Sequence, residues 1–298
     1  MNPLKRLLKI ADQYRIDDGK KFRLKDVDPA DIGSLKSESK QEAQALLQHS
    51  VEHLTSLQQK LFADNRWALL VIFQAMDAAG KDSTIKHVMS GLNPQGVDVH
   101  SFKTPSAEDL DHDYLWRSMR VLPERGRIGI FNRSYYEETL VVRVHPDILQ
   151  NEKLPSRLVT KHIWKERFED IVAFERYLSR NGIVVRKFFL HVSRDEQKRR
   201  FLERLEDPQK HWKFSSADIR ERECWDDYQD AYEDMIRHTA TEESPWYVVP
   251  ADHKWFTRLV VAAAVTDALR GLKLDYPTVP KDEKEKLEEA KKQLLAEK

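Results

Sequence analysis

The sequence predicts an α/β protein: a parallel sheet with helices on both faces, stacked as a three-layer α/β/α sandwich. Three observations predict it. Short apolar stretches alternate with helix-patterned ones along most of the chain, and that alternation builds a parallel sheet covered on both sides. The run Ala68 to Phe73 is apolar at every position, as a strand buried on both faces reads. It leads into a glycine-containing loop, AMDAAGKDST at 75–84, which opens a helical pattern. Ligands of such sheets bind beyond the carboxyl ends of the strands.

The elements belong to one domain spanning 1–298. Residues 1–62 form an arm and a helix. The stretch YRIDDGKKFRLKDVDPADIG (14–33) is polar, carries turn residues and is predicted extended. In 37–64, Ala43, Leu46, Leu47, Val51, Leu54, Leu57 and Leu61 recur at helical spacing, which core packing alone explains. After the first strand and its loop, STIKHVMSGL (83–92) is a helix stopping near Gly91. VDVHSF (97–102) is a second strand. SAEDLDHDYLWRSMRVL (106–122) is one helix opened by a capping pair, Ser106 and Asp109. GRIGIFNRS (126–134) is a third strand. A long helix spans 158–182 and ends at Asn181-Gly182. Strands follow in IVVRKFFLHVS (183–193) and SPWYVVPAD (244–252), then a closing helix, KWFTRLVVAAAVTDALRGL (254–272). The tail, 278–298, is charged and helical with a solvated face.

Composition narrows the function. Lys+Arg and Asp+Glu stand at 50 each, so the chain has no global field for a polyanion, and any anion site comes from local clustering. The apolar fraction, 40%, argues against disorder. One cysteine, Cys224, excludes a disulfide framework and a cysteine-based zinc site, and reads as a small buried apolar residue. The N-terminus turns charged too early for a secretory signal and no apolar run is long enough for a membrane span, so the cytoplasm is the expected location. His87, His112, His191, His238 and His253 show no metal-binding spacing. Trp116, Trp164, Trp225 and Trp255 read as core residues, and Trp246 as packing.

Three segments carry chemistry. The loop is a Walker-like pattern, G-x-x-x-x-G-K-[ST], with Ala75 in the first glycine slot, Asp82 in the Ser/Thr slot and an extra carboxylate, Asp77. Backbone N–H groups from Ala78, Ala79, Gly80, Lys81, Asp82 and Ser83 can line a phosphate nest at the helix N-terminus. Lys81 supplies a point charge for a transferring phosphate. Ala75 is tolerable if its φ is not positive. Asp82 removes the hydroxyl that ligates magnesium, and Asp77 can take that place. A turn that merely caps a helix is the plainer alternative. The second segment, IFNRSYYEETLV, places Asn132 where a strand-end carboxylate would help hold a metal. Arg133 follows as a phosphate clamp, then Glu137 and Glu138, for which a solvated acidic turn is the alternative. Tyr135 and Tyr136 read as packing or base-contacting residues. The third segment runs from His191 to Met235. On its first helix Lys198, Arg199 and Arg200 cannot share one face, and Arg204 lies at i+4 from Arg200. Pro208 breaks that helix, and Lys210 and Lys213 flank Trp212. A basic segment after this strand, about 206–222, is where a nucleotide kinase carries its lid. An exposed charged helix is the alternative.

Taken together, LLVIFQAMDAAGKDSTIKHVMSGLNPQGV, FKTPSAEDLDHDYLWR, GRIGIFNRSYYEETLVVRVHP, FFLHVSRDEQKRRFLERLEDPQKHWKFS and SPWYVVPADHKWF resemble the polyphosphate kinase 2 family, in its polyphosphate:nucleotide phosphotransferase branch. The resemblance runs from about Tyr14 to Leu272. It implies a thymidylate-kinase-like, P-loop kinase fold with a helical lid. It also implies phosphoryl transfer between inorganic polyphosphate and AMP or ADP, giving ADP and ATP, with magnesium, or manganese in its place. In that family Asp77 and Asp82 are expected parts of the loop. Asp77 matches the loop carboxylate of nucleotide activation and metal binding, Lys81 the loop lysine, and Arg133 a phosphate-binding arginine. Arg199 and Arg200 match lid-region residues along the polyphosphate path, and Lys210 and Lys213 are further lid carry-overs. The stretch N-R-S-Y-Y-E-E resembles the class III branch, which accepts both AMP and ADP. In that branch Glu137 is the distinguishing acid, and metal binding falls to Asp77 and Glu137. Homo-oligomers are common in the family. The rival readings are an ATP-dependent nucleoside monophosphate kinase and a non-catalytic polyanion-binding module. Against nucleic acid as the partner stands the lack of a strongly basic face or binding motif.

Overall fold

The computed structural model describes residues 3–35 and 40–297; the side chains of residues 3, 40–43 and 213 are outside the description. Ala43, expected in the apolar stripe of 37–64, and Lys213, expected in the basic segment, therefore lie outside the described side chains. Among the described residues six strands form one sheet: β1 Arg15–Ile16, β2 Ala68–Gln74, β3 Val97–Ser101, β4 Ile128–Asn132, β5 Ile183–His191 and β6 Trp246–Pro250. Their order is β1-β6-β5-β2-β4-β3. Five strands are parallel, as expected. The sixth is a correction: β1, from the arm expected to be merely extended, pairs antiparallel with β6 through Arg15↔Tyr247 and Ile16↔Trp246. This two-residue strand covers the start of the β6 edge.

The helices are α1 Pro3–Asp12, α2 Lys40–Asp64, α3 Lys81–Val88, α4 Ala107–Leu110, α5 Trp116–Met119, α6 Val141–Val144, α7 Pro146–Gln150, α8 Ile163–Arg180, α9 Arg194–Glu206, α10 Ser216–Glu223, α11 Trp225–Thr239, α12 Lys254–Gly271 and α13 Lys281–Ala296. Helix α12 packs on β2, β5 and β6 and on α1, α2 and α3, forming one outer layer, while α8 packs on β5 and α11 in the other. Twelve residues of α12 are buried, which is why its sequence is apolar almost all round instead of striped. Every residue of β2 is buried, because it lies in mid-sheet between β5 and β4 with helices above and below. Among the described residues no helix is long and apolar enough to cross a membrane.

Four local expectations are corrected. Helix α1 is not anticipated from the sequence; Leu7, Ile10 and Ala11 bury its inner face. The single helix expected over 106–122 is two separate turns, α4 and α5. The capping box of Ser106 and Asp109 is present, but the Asp113 side chain accepts from the Leu115 N–H at 2.9 Å. Such local bonds compete with helix continuation. The helix expected from 158 begins at Ile163, after a 3-10 turn at Ser156–Leu158. Cys224 is only partly buried, at the joint between α10 and α11, where it packs against the core.

Candidate active site

The loop after β2 leaves the sheet centre through two left-handed residues. Ala78 has φ +61° and Gly80 φ +110°, while Ala75 is not among the positive-φ residues. An alanine therefore suffices in the first glycine slot. Thr84 N–H donates to the Gly80 carbonyl at 2.9 Å, so α3 starts there. The N–H groups of 81–83 precede any intrahelical partner and collect at a helix N-terminus, an anion-binding arrangement. Lys81 folds back over the loop and donates to the Ala75 carbonyl at 2.8 Å. Burial lowers its pKa to about 8, assisted by Arg133 and opposed by Asp77, Glu137 and Asp82.

The end of β4 lies beside this loop because Phe73 and Asn132 are in register. Arg133 has φ +64° and its N–H donates to the Phe73 carbonyl at 3.0 Å. Its guanidinium donates to Asp77 at 2.9 Å and to Glu137 at 3.3 Å. The Glu137 carboxyl is raised by burial, against the pull of Arg133 and Lys81. Asn132 does not take the part of a strand-end acid. Its amide donates to the Asp82 carboxylate at 2.7 Å and so fixes the first turn of α3. Cation and carboxylates alternate here within one cluster: Lys81, Arg133, Asp77, Glu137 and Asp82.

This cluster opens into a cleft of about 1030 Å³ at the carboxyl ends of the strands, walled by the loop, the segment 101–104, and residues of α9, α10 and the turn between them. The family model for polyphosphate kinase 2 matches residues 36–276. The chain is 51% identical to the ADP-polyphosphate phosphotransferase of Rhodopseudomonas palustris, over 93% of this chain and 98% of that one. It is 43% identical to the AMP/ADP-polyphosphate phosphotransferase of Meiothermus ruber, over 89% and 95%. The crystal structure of polyphosphate kinase 2 from Arthrobacter aurescens TC1 superposes with a TM-score of 0.83 at 40% identity, covering 91% of this chain and 92% of that one. The chain belongs to the polyphosphate kinase 2 family.

Within this polyphosphate kinase 2 fold the expected residues separate. Asp77, Ala78, Gly80, Lys81, Asp82, Ser83 and Arg133 line the cleft, as does Lys210; Ala79 and Glu137 lie behind the wall. Lys210 is paired with Asp207 at 2.8 Å. Arg199 is more than half exposed, is held by Glu196 and Glu203, and is not part of the cleft wall. Arg200 reaches the wall but is 4% exposed, with its guanidinium held by carbonyl groups. Glu138 is not a solvated acid. It is buried, ion-paired with Arg117 at 3.0 Å, and raised to about 7 by burial and by Glu152. Tyr135, Tyr136 and Trp246 are fully buried and pack.

Several residues of the site were not legible as such. Lys103 and Lys254 line the cleft. Arg258, one turn beyond Lys254 on α12, donates to the Ser83 hydroxyl at 2.8 Å. Two cations at i and i+4 at the start of the closing helix are the signal that could have found Lys254 and Arg258. Asp218 on α10 is raised by burial and then by Asp77, which brings that helix electrostatically onto the loop.

The family implies a divalent metal ion, and the donor set fits one. The acids here are hard oxygen ligands, and among the described residues no group of three His, Cys, Asp or Glu is poised to enclose a metal. An ion that takes one or two carboxylates and completes its shell with phosphate and water needs no such enclosure.

Proposed function

We propose that this chain transfers a phosphoryl group from inorganic polyphosphate to ADP and to AMP, giving ATP and ADP, with magnesium. The observation that carries this reading is the Lys81–Arg133 pair at the head of α3, set among Asp77 and Glu137 and facing the cleft. A terminal oxygen of the nucleotide attacks the end phosphorus of polyphosphate. The new P–O bond replaces the bridging one, and the polyphosphate leaves one unit shorter. Such a transfer needs positioning and charge neutralisation more than covalent help.

The residues take these parts. Loop N–H groups and Lys81 hold the transferring phosphate. Arg133, aimed by Asp77 and Glu137, clamps its oxygens in a planar fork. Asp77 and Glu137 would hold the magnesium, which when bound neutralises charge on the phosphates. Arg199 and Lys210, with Lys103 and Lys254, supply exposed cations along a polyanion. The segment 206–222, with α10, acts as the lid that excludes water. Glu137 is the acid proposed to support AMP.

One experiment tests the reading. The protein is incubated with magnesium and long-chain polyphosphate plus AMP, or plus ADP, and in a third tube with ATP and AMP without polyphosphate. ADP and ATP are followed by chromatography. Products in both polyphosphate tubes are expected. AMP left inert would remove the dual-acceptor part, and products only in the third tube would make the protein an ATP-dependent nucleotide kinase.

A further inference from the structure

The phosphate loop is gripped from behind by the inner face of α9. Three successive carbonyls of the loop are taken by two side chains one turn apart. Gln197 Nε2 donates to the Asp77 carbonyl at 2.8 Å. Arg200 Nη1 donates to the carbonyls of Ala78 at 3.1 Å and Ala79 at 2.7 Å. The other arm of Arg200, Nη2, donates to the carbonyls of Ala251 at 2.5 Å and Asp252 at 3.2 Å, beyond the end of β6. Its Nε donates to Glu196 at 2.6 Å. One buried guanidinium thus ties together the exits of β2, β5 and β6. All of its N–H directions are used, which leaves it poorly placed to bind a passing phosphate.

A peptide unit is planar and trans, so its C=O and N–H point in opposite directions. Holding the Asp77, Ala78 and Ala79 carbonyls on the α9 side turns the N–H groups of Ala78, Ala79 and Gly80 the other way. The Ala79 N–H closes a turn onto the Met76 carbonyl at 3.3 Å. The Ala78 and Gly80 N–H groups remain to face an anion, in a run containing two left-handed residues, which is how backbone nests are built. The grip also extends into the lid. Arg222 on α10 donates to Gln197 Oε1 at 2.5 Å and to the Arg194 carbonyl at 3.1 Å.

We propose that Gln197 and Arg200 are positioning residues for the phosphate loop, holding its peptide planes so that its N–H groups meet the transferring phosphate, and that Arg222 connects this grip to the lid. Arg200 is thereby moved from the polyphosphate path to the scaffold of the loop. The inference rests on the phosphotransfer reading for its kinetic consequence and on the hydrogen bonds for its structural one.

Arg200→Lys keeps the charge and loses the fork; Gln197→Leu removes one loop-carbonyl bond, to Asp77, together with the bond from Arg222, and is the milder change. Initial rates with ADP are measured against polyphosphate concentration and against salt. The Gly80 amide resonance is followed in protein labelled at glycine with nitrogen-15. Expected for Arg200→Lys is a kcat lower by about 100-fold, the size of a lost transition-state donor. Expected for Gln197→Leu is a loss of about tenfold, the low end for a misplaced group. In both, the KM for polyphosphate and the slope of log rate against log salt stay at wild-type values, and the Gly80 amide shifts. A raised KM with a shallower salt slope and an unmoved kcat would make Arg200 a polyphosphate contact and overturn the proposal. So would wild-type rates with an unmoved Gly80 amide. Should Arg200→Lys fail to fold, Gln197→Leu decides alone. Should the wild-type protein show no turnover, the phosphotransfer reading fails, and the Gly80 amide still decides whether α9 holds the loop.

Discussion

Two clusters of cations and acids lie along the same sheet and are built in opposite ways. On β5, Lys187 is fully buried, and each of its three N–H donors is used: on Glu175 at 2.6 Å, the Thr239 carbonyl at 2.7 Å and the Tyr136 hydroxyl at 3.1 Å. Glu175 also accepts from the Tyr135 and Tyr136 hydroxyls at 2.9 and 2.8 Å. This network closes on itself. At the strand ends, Lys81 donates to the Ala75 carbonyl, which leaves two of its three donors. Arg133 and Asp77 are each about a third exposed at the cleft. The comparison teaches how the same residue types divide their work. A closed network fixes the fold, and an open one keeps charge ready for a ligand.

The comparison can be broken from either side. The largest effect is expected at the open cluster. Lys81→Ala and Asp77→Asn should each lower kcat by at least about 1000-fold, equivalent to about 4 kcal/mol of barrier, with no loss of denaturant midpoint. Near-normal rates in either folded variant would refute the assignment. At the closed cluster the cost should instead appear in stability. Glu175→Gln leaves the Lys187 ammonium buried without its charge partner, at about 3 kcal/mol by the measure of broken buried pairs. Urea unfolding checks this, and a midpoint equal to wild type would mean that the pair does not hold the sheet.

A smaller, graded effect comes with pH. Lys81 carries its charge below about 8, so kcat/KM for polyphosphate should fall about tenfold per pH unit above that value. A bound phosphate favours the ammonium, so the limb in kcat should lie higher. The sign for stability is opposite. Between about 8 and the ordinary lysine value of 10.5 the unfolded chain binds the extra proton, and Lys81 makes stability rise with pH. Loss of activity in that window with an undiminished midpoint would therefore report Lys81 and not unfolding; a flat profile to pH 9.5 would contradict it. The smallest effect is one of selectivity. Glu137→Asn should weaken use of AMP more than use of ADP in paired kcat/KM measurements, and equal losses would remove Glu137 from the choice of acceptor.

Much of the frame was readable because its causes are local. The apolar run of β2, the capping pair at Ser106 and Asp109, and the stop at Asn181-Gly182 each announce an element within a few residues. The loop was readable for the same reason, since Gly80, Lys81 and the start of α3 are contiguous. What escaped is what depends on partners far along the chain. Arg200 reads as a lid-region cation on the polyphosphate path, yet its carbonyl partners lie 121 and 51 residues away. Lys187 reads as a break in an apolar strand. Its parity with Val185 and Phe189 places it on a buried face, and only the fold brings Glu175 to it. Asn132 reads as a missing acid until Asp82, 50 residues earlier, is seen to receive it.

The single cysteine has a practical side. Cys224 stands at the joint where α10 ends and α11 begins, so the proposed lid and the helix that follows it meet at the one thiol in the sequence. Its pKa is raised by burial and by Glu221, Asp227 and Glu223, which slows alkylation near neutrality and favours mildly alkaline labelling. A fluorophore placed there would turn the natural chain, without any substitution, into an optical reporter of whether the joint bends when a nucleotide and its donor arrive.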